Sequence, residues 1–109
     1  MNGTYKLIGR LGSGSSACEA MLALSSLPYE TEDLDHWPDR QPPAGLTALN
    51  PLGQVPVLIL PDGTVLTESA AIVMHLANLA KPAKLAPDAG TPEHAQYLRL
   101  MLFLAANVY

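Results

Sequence analysis

Serine hydroxyls are concentrated in one short stretch of this chain, Gly9-Arg10-Leu11-Gly12-Ser13-Gly14-Ser15-Ser16, ahead of a segment with helical character. Hydroxyl donors and the free N–H groups of a helix N-terminus together favour an anion held against them. Ser13, Ser15 and Ser16 serve equally well as loop and cap residues. Ser16 opens the pattern Ser16-Ala17-Cys18-Glu19, the spacing of a capping box in which hydroxyl and carboxylate each satisfy a free N–H. A second candidate point is Glu68-Ser69, a carboxylate and a hydroxyl beside outward-pointing N–H groups. That pair suits charge-assisted binding or simple capping.

Other chemistries find little support. No pair of His, Cys or carboxylates has metal-ligand spacing, so no metal is expected. Gly12-x-Gly14 lacks the lysine and the length of a phosphate loop. Cys18 stands without a Cys-x-x-Cys partner, which disfavours dithiol redox work and leaves a small buried hydrophobe. His75 and His94 read as solvated or interface residues. Trp37, flanked by Pro38, reads as packing on a sheet edge, or as the cap of a groove.

The elements that must position these groups follow from pattern. Tyr5-Lys6-Leu7-Ile8 is a short strand candidate. A helix should follow Ser16, with Ala17, Ala20, Met21 and Leu24 at i, i+3, i+4 and i+7 as its apolar stripe, and stop near Ser26 before Pro28. Tyr29 to Leu34, acidic at Glu30, Glu32 and Asp33, suits an edge strand. Asp35 to Gly45 is a proline-dense loop, and at most a short turn of helix, Leu46 to Leu49, precedes Asn50-Pro51.

Val55-Pro56 opens the next strand, because a proline is tolerated at a strand's first residue, where its missing N–H is not needed. Val57, Leu58, Ile59 and Leu60 are apolar on both faces, so this strand should be covered on both sides. Pro61-Asp62-Gly63 supplies a preset φ, an Asx side chain and a residue free to take positive φ, which predicts a hairpin. Ser69 to Ala80 reads as a helix with Ile72, Val73, Leu76 and Leu79 on one side. Lys81 to Thr91 reads as a linker, and Pro92 fits the first position of a last helix running to at least Asn107.

The totals set bounds. A chain of 109 residues allows one small core and no second complete domain. A formal charge of -4 without a basic run excludes the footprint of a nucleic-acid binder. One cysteine and an N-terminus without a signal pattern suggest a reducing compartment, the cytoplasm. Leu98 to Leu104 is far shorter than the roughly 20 residues of a bilayer span, so no membrane partner is expected. That last helix is apolar almost all round, the pattern of one buried on several sides.

Asn50-Pro51-x-Gly53-Gln54-Val55-Pro56-Val57-Leu58, the hairpin, and Glu68-Ser69-Ala70-Ala71-Ile72 together resemble the glutathione-binding half of the glutathione S-transferase family, and the likeness covers residues 4 to 80 in order. It implies an α/β fold: a thioredoxin-like β-α-β-α-β-β-α domain over residues 1–80, a linker over 81–92, and over 93–109 the first, truncated helix of an all-α domain. Because the sequence stops at Tyr109 inside that helix, either the remainder lies outside this chain or another subunit covers the exposed face.

The resemblance also implies roles. In that family the proline is cis, and the residue before it offers its backbone to the cysteinyl part of glutathione, which here points to Gln54, Val55 and Pro56. Ser13, with Ser15 second, takes the place of the serine that contacts the thiolate, whose unperturbed pKa of about 8.5 must be lowered for chemistry at neutral pH. Glu68 would meet the ammonium and Ser69 the carboxylate of the γ-glutamyl end. His36, Arg40 and Gln41 are candidates for the glycyl carboxylate. Glutathione would be the co-substrate, a small electrophile the second substrate and a homodimer the assembly. The alternatives are a non-catalytic interaction module on the same fold, or a glutathione-dependent reductase or isomerase.

Overall fold

The computed structural model describes residues 3–38 and 41–107. Strand β1 (Tyr5–Gly9) leads into helix α1 (Ser15–Ser25), then β2 (Tyr29–Asp33), α2 (Ala44–Leu49), the hairpin of β3 (Val57–Ile59) and β4 (Val65–Thr67), α3 (Ser69–Leu79) and α4 (Pro92–Asn107). The four strands form one sheet in the order β2-β1-β3-β4. β2 runs parallel to β1, whereas β3 is antiparallel to both β1 and β4. Up to α3 this is the thioredoxin-like arrangement.

Side chains of a strand alternate between faces, and the register uses that alternation to build two cores. Leu7 pairs with Leu58, and Ile8 with Val57. Leu7 and Leu58 meet Cys18, Leu22, Ile72 and Leu76 on the side of α1 and α3. Ile8 and Val57 meet Leu46 of α2 on the other side. β3 is therefore covered on both faces, as its unbroken apolar run predicts. β2, exposed along its whole length, lies at the edge.

Three expectations about the helices need correction. The buried stripe of α1 is Ser15, Cys18, Leu22 and Ser25, not Ala17, Ala20, Met21 and Leu24, and Leu24 is 65% exposed. Small residues let α1 approach α3 closely: Cys18 Sγ lies 3.8 Å from the Ser69 carbonyl oxygen. The Ser25 hydroxyl is buried without loss, since it donates to the Leu22 carbonyl and accepts from Leu27 N–H.

Ser16 does not cap α1. The helix already begins at Ser15, and the cap position, Gly14, offers no side chain; Ser13 Oγ instead accepts the Ser15 N–H. In α3 the buried positions are Ile72, Leu76 and Ala77, while Leu79 is exposed.

The turn chemistry is as the residue types demand. Asp62 Oδ1 accepts the Thr64 N–H at 2.9 Å, and Gly63 takes φ +91°. After α3 the chain is tied back by Lys81 N–H to the Ser25 carbonyl and Leu85 N–H to that of Ala77. Thr91 Oγ1 accepts the His94 N–H and so caps α4. α4 touches α3 and has no buried residue among those described. Leu100, Leu102, Phe103 and Leu104 are all exposed.

Candidate functional site

Gly9 ends β1 and the hydroxyl loop begins. Ser13 Oγ donates to the Arg10 carbonyl at 2.6 Å, lies 2.8 Å from Ser15 Oγ and accepts the Ser15 N–H at 3.2 Å. Ser15 Oγ accepts the Arg10 N–H at 3.2 Å and lies 3.3 Å from the same Arg10 carbonyl. A Cβ at position 9 would sit 2.4 Å from Ser15 Oγ, so only glycine admits this hydroxyl.

The two serines thus differ. Ser15 is 6% exposed and ties the loop to the end of β1. Ser13 lines a cavity of about 580 Å3.

The opposite wall is the segment before β3. Asn50, buried, donates through Nδ2 to the Gln54 carbonyl and accepts the Leu52 N–H on Oδ1, so one side chain braces the whole turn. Gly53 has φ +65°, and a Cβ there would lie 2.5 Å from Pro42 Cγ. The Val55–Pro56 peptide bond is cis. Gln54 and Val55 line the 580 Å3 cavity together with Ser13, and they also line a neighbouring cavity of about 400 Å3 that reaches Pro56, Glu68 and Ser69. Gly14, Gln54 and Val55 belong to both linings, so the two form one crevice.

Glu68 stands at the cap position of α3 with φ +74° and makes no side-chain capping bond; the reading of this residue as a mere cap loses its support. A non-glycine residue at positive φ is uncommon, costs about 1 to 3 kcal/mol, and clusters where function constrains the backbone. Its exposed carboxylate faces the 400 Å3 cavity beside Ser69.

Of the remaining predicted residues, His36 lines the larger cavity and Gln41 lines neither. Arg40 lies outside the described residues. Ser16 is exposed on α1. Arg10, which sequence reasoning passed over, and Trp37, read there as packing on a sheet edge or as the cap of a groove, also belong to the crevice. Arg10 lines the larger cavity with its guanidinium 4.5 Å from the centre of the Trp37 ring. Trp37 both packs on the α2 side core and lines the cavity. The signal available was a basic side chain just past a strand end in a chain holding only six Lys and Arg. Nothing local tied it to Trp37.

Cys18 takes no part. It is fully buried, and burial pushes its thiol up to about 12, so a nucleophilic thiolate is not available there. Among the described residues no group of three or more His, Cys, Asp or Glu is placed to hold a metal ion, and no helix is long and apolar enough to cross a membrane.

The profile described as glutathione S-transferase, N-terminal domain, matches residues 15–79, more than half of the chain. The chain is 39% identical over 106 residues to the "uncharacterized GST-like protein YncG" of Escherichia coli, covering 95% of this chain and 50% of that protein. A glutathione S-transferase of Xanthomonas campestris is 32% identical over 104 residues, with the same two coverages, 95% and 50%. Among solved structures, a glutathione transferase homologue from Sulfitobacter with bound glutathione superposes with a TM-score of 0.82 at 33% identity, over 97% of this chain and 50% of that one. The chain spans about half the length of the relatives it matches. From the crevice between serine loop and proline turn, the mixed sheet behind it and these likenesses together, the chain belongs to the glutathione S-transferase family.

Proposed function

We propose that this chain is the glutathione-binding half of a glutathione transferase, and that its crevice holds the tripeptide with the thiol at Ser13. The observation that carries the reading is one crevice that gathers Ser13, the Gln54-Val55-Pro56 turn and the Glu68-Ser69 corner from three separate elements. In this reading the Glu68 carboxylate meets the γ-glutamyl ammonium, while Ser69 and the first N–H groups of α3 meet its carboxylate. The backbone of Gln54 and Val55 lies along the cysteinyl unit.

Ser13 then turns its proton from the Arg10 carbonyl to the sulfur, and Ser15 Oγ, 2.8 Å away, remains as the donor that supports Ser13. The bond lowers the thiol's pKa so that its proton passes to solvent, and the lone pair of the resulting thiolate attacks the electrophile to form a carbon–sulfur bond as the electrophile's leaving group departs. The electrophile would be a small molecule. Most of its pocket would be made by a helical domain that begins at α4 after the 81–92 linker and covers the apolar face of that helix.

A cytoplasmic homodimer is the matching assembly. Titrating glutathione into the protein by calorimetry tests the reading: saturable binding at millimolar ligand or below is expected, and none would overturn it.

A second reading, a non-catalytic interaction module on this fold, is favoured by the exposed leucines and Phe103 of α4. Turnover assays separate the two: binding without conjugation of any haloaromatic electrophile supports the module. A reductase or isomerase role would require turnover with disulfides or isomerisable substrates, and the buried Cys18 gives it no second thiol.

A further inference from the structure

α2 is six residues long, too short to cover the sheet face it lies on. Paired residues of neighbouring strands point to the same face, so the register sets Glu30, Lys6 and Ile59 in one row there and Glu32, Ile8 and Val57 in the next. Leu46 closes the second row against Ile8 and Val57. Beside it lies a cavity of about 330 Å3, lined by Ile8 and Ile59 of the sheet, Leu46 and Leu49 of α2, and Leu34. Its charged lining is Lys6 and Glu32, paired at 2.9 Å through Glu32 Oε1. Among the described residues it shares none with either cavity of the crevice. Gly45 of α2 also lines it, and packing does not ask for glycine at that position, since a Cβ would meet no atom within 4 Å. Glycine weakens a helix relative to alanine, so what Gly45 supplies is a missing side chain that leaves the cavity open. Gly14 stands in the same way at the crevice.

An aliphatic lining offers water no hydrogen bonds, and a dry apolar cavity of about 150 Å3 already takes a benzene-sized molecule. This one therefore has room for a ring with a short arm. Charge decides the end of the arm. On this face two carboxylates, Glu30 and Glu32, stand with one lysine, and Lys6 answers Glu32 at Oε1 alone. We propose that the cavity under α2 is a second small-molecule site, separate from the crevice, and that it takes a compact hydrophobic amine, with the ring against Ile8, Leu46, Leu49 and Ile59 and the ammonium at Glu32. A carboxylate in the same place would face Glu30 and Glu32 and gain only a lysine that is already paired. The site stands whether or not the crevice binds glutathione, because it draws on none of the crevice's residues.

The test uses probes that differ at the end of the arm: phenylpropylamine, phenylpropanol and phenylpropionate. Nitrogen–proton correlation spectra of the protein, titrated with each, give dissociation constants and locate the site. The amine should shift the amides of Ile8, Leu46 and Ile59 saturably at millimolar concentration and keep those shifts when glutathione is added. It should bind about two- to five-fold tighter than the alcohol, and the acid should bind most weakly. Glu32→Gln should bring the amine to the alcohol's affinity and leave the alcohol unmoved. Gly45→Phe, which grows a side chain from the cavity's lining, should weaken amine and alcohol together, with thermal melts showing both variants folded. An amine no tighter than the alcohol, or a preference that survives Glu32→Gln, overturns the assignment of the ligand's charge. Displacement of the amine by glutathione would put it in the crevice and overturn the second site, as would the absence of saturable shifts at the cavity residues.

Discussion

At the scale of single residues, the serine pair separates two jobs that look alike in sequence. Ser13 offers a hydroxyl to the crevice and Ser15 ties the loop to β1. Ser13→Ala should therefore raise the thiol pKa of bound glutathione by about one unit or more, the value of a hydrogen bond to an anion, with little change in melting temperature. Ser15→Ala should cost about 1 kcal/mol or more of stability, because the Arg10 N–H loses its acceptor. Ultraviolet difference spectra of the bound thiolate and thermal melts read the two effects apart, and a thiolate signal unchanged by Ser13→Ala removes the assignment of that residue.

Cys18 supplies a pH signature. Its thiol ordinarily titrates near 9.0 and is pushed up to about 12 by burial, so between those values the native state keeps a proton that the unfolded chain has released. Stability from this group is complete below about pH 9 and falls as pH rises towards 12. Tyr97, also raised by burial, acts with the same sign, so the measurement is the difference between wild type and Cys18→Ala. Denaturant melts from neutral to alkaline pH should show the wild type losing stability more steeply than the variant. Parallel curves would contradict the burial of that thiol.

At the scale of elements, what was legible were the parts set by local chemistry. The hairpin follows from Asp62 and Gly63, β3 from its unbroken apolar run, and the start of α4 from Pro92. The face of α1 was not legible, because Ser15, Cys18 and Ser25 do not count as apolar. Their burial depends on partners elsewhere: the backbone of Arg10 for Ser15, that of Leu22 and Leu27 for Ser25, and a close approach to Ser69 for Cys18.

The site divides in the same way. Ser13, the proline turn and the Glu68-Ser69 corner are visible as motifs, whereas Arg10 and Trp37 meet only through the fold, 27 positions apart by their numbers. The brace made by Asn50 was likewise hidden, being a matter of burial. The corrected stripe makes its own prediction: Leu22→Ala should destabilise by about 2 to 5 kcal/mol as a buried cavity opens, and Leu24→Ala, 65% exposed, by no more than about 0.5 kcal/mol. Chemical denaturation decides it, and similar losses at both positions would restore the discarded stripe.

At the scale of the whole molecule, α4 is the element that this chain does not satisfy. Leu100, Leu102, Phe103 and Leu104 lie on an exposed helix, and each large apolar side chain left in water forgoes about 1.5 to 3 kcal/mol of burial. Large apolar side chains exposed together on one helix mark an interaction site or an association hazard. If a helical domain covers the face, the 109-residue chain alone should bind a hydrophobic dye and self-associate, and a longer protein carrying that domain should do neither. The double substitution Leu102→Gln and Phe103→Gln should then disperse the short chain and destabilise the longer protein by about 3 kcal/mol or more, while glutathione affinity in the short chain stays unchanged, because neither residue lines the crevice. If a second copy of the chain is the cover instead, the short chain should sediment as a discrete dimer without dye binding, and the same double substitution should yield a monomer. Sedimentation velocity with dye titration distinguishes the two covers, and a stable monomer that binds no dye would contradict both.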